Sequence, residues 1–290
     1  MHDQANQLRQ LIQQGSCHLP RGHHSAPRLV TVTSGKGGVG TTTVAVNLAA
    51  MLARQGHRVA LIDADPRGGN AAVLCRLEPR CSLVDVLQGR CTLHEALQAG
   101  PGGIQVLPGD WASGGLLEAS NQTLTRLLDA LSSLARHFDY MLVDAGSGLN
   151  RVARHFWPAS KAVLLVTSPE VTSIMDAYAS IKVFDGGAGT VPVLVAVNQV
   201  SDPETAREAH ERLGQACWRF LGLRPVQGGL LSNDTAISEA CRTGRPFVLD
   251  APACEPAREI RRLAQAVEVV MDQTVTPADT TRPKNQAMRA

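Results

Sequence analysis

Aromatic side chains are scarce, at 3% of the 290 residues, so any sizeable core must be aliphatic and come from a hydrophobic fraction of 44%. Neither charge sign is in surplus. Lys and Arg number 28 against 26 Asp and Glu, a formal net charge of +2. Charge therefore gives no argument for a nucleic-acid partner. Long apolar runs are missing as well, and nothing approaches the roughly 18 consecutive apolar residues of a membrane span. Residues 1–27, "MHDQANQLRQLIQQGSCHLPRGHHSAP", are polar and lack the apolar stretch of a signal peptide. The cysteines, at 17, 75, 81, 91, 217, 241 and 254, are odd in number and scattered, with no C-x-x-C pair. They fit reduced thiols in a cytoplasmic protein better than disulfides or zinc ligands. Cys17, His18, His23 and His24 are close in sequence, but their irregular spacing suits a polar arm better than a metal site.

What is present is alternation. Apolar runs at 28–34, 58–65, 102–109, 140–146, 161–168 and 191–199, with a shorter "GGLL" at 228–231, are separated by helical patterns. Leu124, Leu127, Leu128, Leu131, Leu134 and Phe138 keep a helical period, and further helices are expected near 42–56, 172–184, 203–221, 235–243 and 255–272. Strands that are apolar on both faces and alternate with helices imply a three-layer α/β fold: a mostly parallel sheet with helices on both faces. The expected organisation is an arm at 1–27, one α/β domain at 28–273 and an aperiodic tail at 274–290.

The chemistry concentrates in "TSGKGGVGTTT", Thr33–Thr43. This glycine-rich stretch follows an apolar strand and opens a helix, where unpaired backbone N–H groups and the helix dipole favour a phosphate. Gly35, Gly37, Gly38 and Gly40, with Val39 among them, let the chain wrap closely around an anion. Thr42 stands where the pattern G-x-x-x-x-G-K-[ST] places its magnesium-holding hydroxyl, and Thr41 stands in place of the lysine. "YMLVDAG" ends in Asp144, the layout of a strand whose carboxylate fixes a magnesium shell, and "LIDADP" adds Asp63 and Asp65 at another strand end. In an open α/β sheet these elements converge on the ligand-binding edge.

The loop form "KGGVGxTT" resembles the deviant Walker A of the MinD/ParA P-loop ATPases, and the resemblance covers about residues 28–270. It implies ATP or ADP with Mg²⁺ as cofactors and a homodimer that forms on ATP binding. Lys36 would be the signature lysine that reaches the partner subunit's phosphates. Asp65 would orient the attacking water, Thr42, Asp63 and Asp144 would serve the metal, and Asn198 would contact adenine. Gly35, Gly37–Gly40, Thr41, Thr42 and Thr43 would line the nucleotide. Thr41 is the departure. One charged hydrogen bond of ~1.5–3 kcal/mol is missing, which weakens phosphate binding by about one to two orders of magnitude. Slow hydrolysis is expected, because phosphoryl transfer depends on electrostatic stabilisation. A fold that retains the site without turnover stays open.

Two stretches narrow the resemblance. "PEVTSIMDAYASIK" (169–182) is similar to a segment of the flagellar-number regulators of the MinD type, the FlhG, FleN or YlxH group. "DQANQLR" (3–9) resembles the activator motif of the same group, which implies that Asp3, Gln4, Ala5, Leu8 and Arg9 dock on the signal-recognition-type GTPase FlhF. Ala5, Leu8 and Ile12 would share one face of a helix too short to be stable alone. The rivals are a pilus-localisation protein of the CpaE/TadZ type, for which "KGGVGTTT" speaks, a ParA-like partition ATPase, and a non-hydrolysing scaffold. No specific nucleic acid is expected. The last helix, with Ile260, Leu263, Val267, Val270 and Met271 on one face, suits packing on the sheet or peripheral contact with the inner face of the plasma membrane.

Overall fold

The computed structural model describes residues 28–110, 116–185 and 191–273. Eight strands form one sheet: β1 (Arg28–Ser34), β2 (Val59–Asp63), β3 (Gln98–Ala99), β4 (Gln105–Leu107), β5 (Tyr140–Ser147), β6 (Ala162–Thr167), β7 (Val193–Val200) and β8 (Val226–Ser232). Their order is β3-β4-β2-β5-β1-β6-β7-β8. All pairings are parallel except β3 with β4.

Alternation along the strands explains the two cores. Val30, Val32, Leu61, Leu142, Leu164 and Leu194 face one side, while Ile62, Met141, Val143, Val163, Leu165 and Val195 face the other. The first side is covered by α1 (Thr41–Arg54), joined later in the chain by the apolar stripe of a long C-terminal helix. Between β2 and β5 the chain forms three short helices, α2 (Ala71–Leu74), α3 (Leu83–Leu87) and α4 (Leu93–Ala96), and then α5 (Asn121–Leu134). Next come α6 (Arg151–Phe156), α7 (Val171–Asp185) and α8 (Pro203–Leu221), which cover the second side with α5. The chain closes with α9 (Thr235–Thr243), α10 (Phe247–Asp250) and α11 (Glu255–Gln273).

Local chemistry sets the helix ends. Asp202 accepts from the Thr205 N–H at 2.9 Å, with Pro203 opening α8, and left-handed Gly222 (φ 70°) closes it. Ser120 caps α5 by accepting from the Thr123 N–H at 3.1 Å. The strand expected at 102–109 shrinks to Gln105–Leu107, because Gly102 and Gly103 take positive φ in a tight turn.

The expected face of α11 exists, and it is used. Ile260, Leu263, Val267, Val270 and Met271 are all buried against β8 and α1, while Arg258 and Arg262 pair with Glu255. That stripe is therefore not free for a bilayer. Among the described residues no helix is long and apolar enough to cross a membrane. The arm residues Asp3, Gln4, Ala5, Leu8 and Arg9, the Cys17–His24 group and the tail at 274–290 lie outside the described residues.

Candidate functional site

The glycine loop joins the C-terminal end of central β1 to α1. Gly40 takes a left-handed conformation (φ 88°), and no side chain caps α1. The first N–H groups of a fourteen-residue helix are thus left for a ligand. A cavity of about 360 Å³ opens over them, lined by Gly38, Gly40, Thr41, Thr42, Thr43, Asp65, Asn70, Val73, Leu74, Gly146 and Ser147. Residues from three strand ends therefore meet, as the sequence implies for Asp65, Thr42 and the loop.

The loop is tightly held. A Cβ on Gly35 would stand 2.2 Å from the Asp176 carbonyl carbon, so the loop lies directly on the backbone of α7. Asn198 donates from Nδ2 to the Val39 carbonyl at 2.7 Å, and a Cβ on Gly40 would stand 2.4 Å from that nitrogen. Asn198 is thus a clamp on the loop as well as a candidate base contact. Gln199, at φ 61°, donates to the Gly38 carbonyl at 2.9 Å. This second clamp has no signal in the sequence beyond its position at a strand end.

The two key positions of the loop face opposite ways. Thr41 is buried and donates its hydroxyl to Ser34 Oγ at 2.7 Å, which in turn donates to the Lys36 carbonyl at 3.0 Å. The place of the missing lysine is filled by an internal hydrogen-bond chain. Lys36 points outward, paired with Glu170 and 3.4 Å from Thr172 Oγ1. The lysine holds the Glu170 carboxyl below its usual range. These partners lie 134 and 136 residues from Lys36 in sequence, inside the "PEVTS" stretch.

Asp63 and Asp144 are register partners on β2 and β5, and both are fully buried. Burial pushes the Asp63 carboxyl up, and the neighbouring Asp144 carboxylate adds to the shift. Asp144 is also raised by burial, while the Thr42 side chain and the Gly146 N–H pull it back. Asp63 accepts from the Ala71 N–H at 2.8 Å and the Asp65 N–H at 3.4 Å. Asp144 accepts from the Gly146 N–H at 3.1 Å through Oδ1, but Oδ2 is buried without a hydrogen-bond partner. An orphaned, buried carboxylate oxygen beside Thr42 and a second buried acid fits a divalent cation. The uncapped helix start and the glycine cradle fit polyphosphate. Of the expected metal residues, Asp144 and Thr42 present this arrangement, whereas both Asp63 oxygens are engaged by backbone donors.

Asp65 reaches the site along the wall made by Gly146, where a Cβ would stand 2.3 Å from Asp65 Oδ1. Its Oδ1 accepts from the Arg67 N–H at 2.9 Å. Thr43 lines the same cavity, with its Oγ1 4.0 Å from Cys241 Sγ.

Residues 27–184 match the model of a family described as an AAA domain. The chain is 34% identical to the antiactivator FleN of Pseudomonas aeruginosa, over 83% of this chain and 86% of that protein. It is 33% identical to the flagellum site-determining protein YlxH of Helicobacter pylori, over 64% of this chain and 63% of that one. Among solved structures, the septum site-determining protein MinD of Pyrococcus horikoshii, complexed with Mg-ADP, superposes with a TM-score of 0.71 at 24% identity, over 86% of this chain and 98% of that chain. With the P-loop geometry, the paired strand-end acids and these similarities together, the chain belongs to the MinD/ParA-type P-loop ATPases, within the FlhG (FleN/YlxH) group.

Proposed function

We propose that this protein is an ATP-dependent dimerising switch that regulates flagellar number or placement. One observation carries the reading: the division of charge around the loop. The cavity wall offers backbone N–H groups, Thr42 and the Asp65 carboxylate, but no lysine or arginine among the described residues, while Lys36 stands outside it on Glu170. Mg²⁺, when bound at Asp144 and Thr42, supplies part of the positive charge that the phosphates require. The cavity lining itself adds no more, and Lys36 of a second copy contributes to it across the dimer.

Lys36 must leave Glu170 to do so. That exposed pair is worth at most ~1 kcal/mol, so the release costs little. Asp65 positions the attacking water. Hydrolysis is slow, because Thr41 contributes a hydroxyl turned inward where a charge would stabilise the transition state.

Light scattering with Mg·ATPγS and with Mg·ADP tests the switch. The wild type dimerises with the triphosphate alone, and Lys36→Ala stays monomeric with nearly unchanged thermal stability. An unaltered dimer in Lys36→Ala would remove the charge-sharing argument. A single-turnover assay with Asp65→Ala as control separates slow hydrolysis from none.

The flagellar assignment is supported by the resemblance to FleN and YlxH. The partner of the arm is a signal-recognition-type GTPase of the FlhF kind. A peptide of residues 1–20 stimulates its GTP hydrolysis, and Gln4→Ala abolishes the effect. No stimulation sinks this partner. The loop "KGGVGTTT" keeps a pilus role as the second reading, and the identity of the protein that co-purifies decides between them.

A further inference from the structure

Arg67 stands two residues beyond Asp65 and reaches back over the end of β5. Its Nη2 donates to the Ser147 carbonyl and, at 3.0 Å, to Ser147 Oγ. The same nitrogen lies 2.9 Å from where a Cβ on Gly148 would stand, so the guanidinium rests against the Ser147–Gly148 segment. Ser147 is part of the nucleotide cavity wall. Its Oγ is also 3.5 Å from where a Cβ on Gly37 would stand. Arg67 is therefore one side chain away from the glycine loop.

The end of the cavity nearest to it is the one that matters for the terminal phosphate. Asp65, Gly146 and Ser147 line it, and Asp144 and Thr42, which would hold a divalent cation serving the phosphates, are close by. Arg67 is also electrically uncommitted. Among the described residues it pairs with no carboxylate, in contrast to Lys36. The larger groove on its outer side, about 900 Å³, adds Arg151 and Arg154 and, among the described residues that line it, has no acidic side chain. A guanidinium that pairs with no carboxylate among the described residues, one residue behind the cavity wall, is poised for an incoming anion.

We propose that Arg67 is the in-subunit cation for the terminal phosphate, compensating for Thr41 and making the site prefer ATP to ADP. The backbone helps. Pro66 before it is buried, Asp65 accepts from the Arg67 N–H, and Gly68 (φ 140°) follows. The residue thus sits at a turn that can re-aim its side chain without disturbing β2. The inference rests on the nucleotide reading of the cavity and deepens it, because it assigns the choice between nucleotides to one residue.

Calorimetry on the full chain with Mg·ATPγS and Mg·ADP tests it. Arg67→Gln weakens ATPγS binding roughly ten- to a hundredfold and ADP binding by less than about threefold, as expected for one charge-assisted contact to the terminal phosphate. Adding Thr41→Lys to Arg67→Gln restores ATPγS affinity, a rescue that a merely structural Arg67 would not allow. Equal losses for both nucleotides, or no loss at all while the wild type binds both, overturn the assignment. A wild type that binds neither nucleotide overturns the nucleotide reading itself, and the ADP titration distinguishes that failure from the first.

Discussion

Asp63 and Asp144 end neighbouring strands at the same level, equally buried, and they are wired in opposite ways. Asp63 is enclosed. Backbone donors of Ala71 and Asp65 take its oxygens, and Gly69 and Gly109 press close enough that a Cβ on either would collide with it. Asp144 keeps one oxygen without a partner, beside Thr42, which lines the cavity. Burial alone therefore does not mark a ligand. The mark is an acceptor that the fold has left unanswered.

The contrast is open to direct attack. Asp63→Ala strands two backbone donors, one of them fully buried, and is expected to cost about 2–3 kcal/mol, lowering Tm by roughly 4–10 °C in calorimetry. If that variant were as stable as wild type and had lost its response to magnesium, the roles of the two acids would be exchanged. Gly69→Ala should follow, at about 1–3 kcal/mol, since its new methyl would stand 2.7 Å from both Asp63 Oδ2 and the Gly109 Cα.

Asp144→Asn is predicted to behave differently. Removing a charge from a buried acid pair leaves metal-free stability unchanged or raised by about 1 kcal/mol. Nucleotide affinity, however, should no longer fall when EDTA strips magnesium, whereas wild type loses about tenfold, equivalent to about 1.4 kcal/mol. Thr42→Val sharpens the picture with the smallest change. Its unfolding free energy stays within about 1 kcal/mol of wild type, and a modest loss of magnesium-dependent affinity is the only other readout expected to move.

Much of this was legible in the sequence because it rests on local patterns. Asp144 could be placed from its apolar strand, and the loop from its glycines between a strand and a helix. The faces of α5 and α11 followed from periodicity. The helices α2, α3 and α4 were not visible, since four or five residues complete too little of a helical period to stand out from loop. They are fixed instead by capping boxes such as Ser82 with Asp85, and by tertiary contacts such as the Leu83 N–H to the Pro108 carbonyl at 2.7 Å. β3 has two residues and no pattern to read. The sequence shows Thr41 where the loop pattern has a lysine, but its bond to Ser34 depends on which way a side chain turns. Gln199, Arg67 and the pairing of Lys36 with Glu170 arise where distant segments meet, and no spacing rule predicts them.

The contact of Gly35 with α7 has a consequence for how the "PEVTSIMDAYASIK" signature should be understood. The loop lies on Asp176 and Ala177, and Lys36 lies on Glu170 and Thr172, so part of this signature is the imprint of the loop upon its neighbour. Chimeras that graft the loop of one relative onto the helix of another would mismatch this seam. Successful grafts should carry the two as a matched cassette.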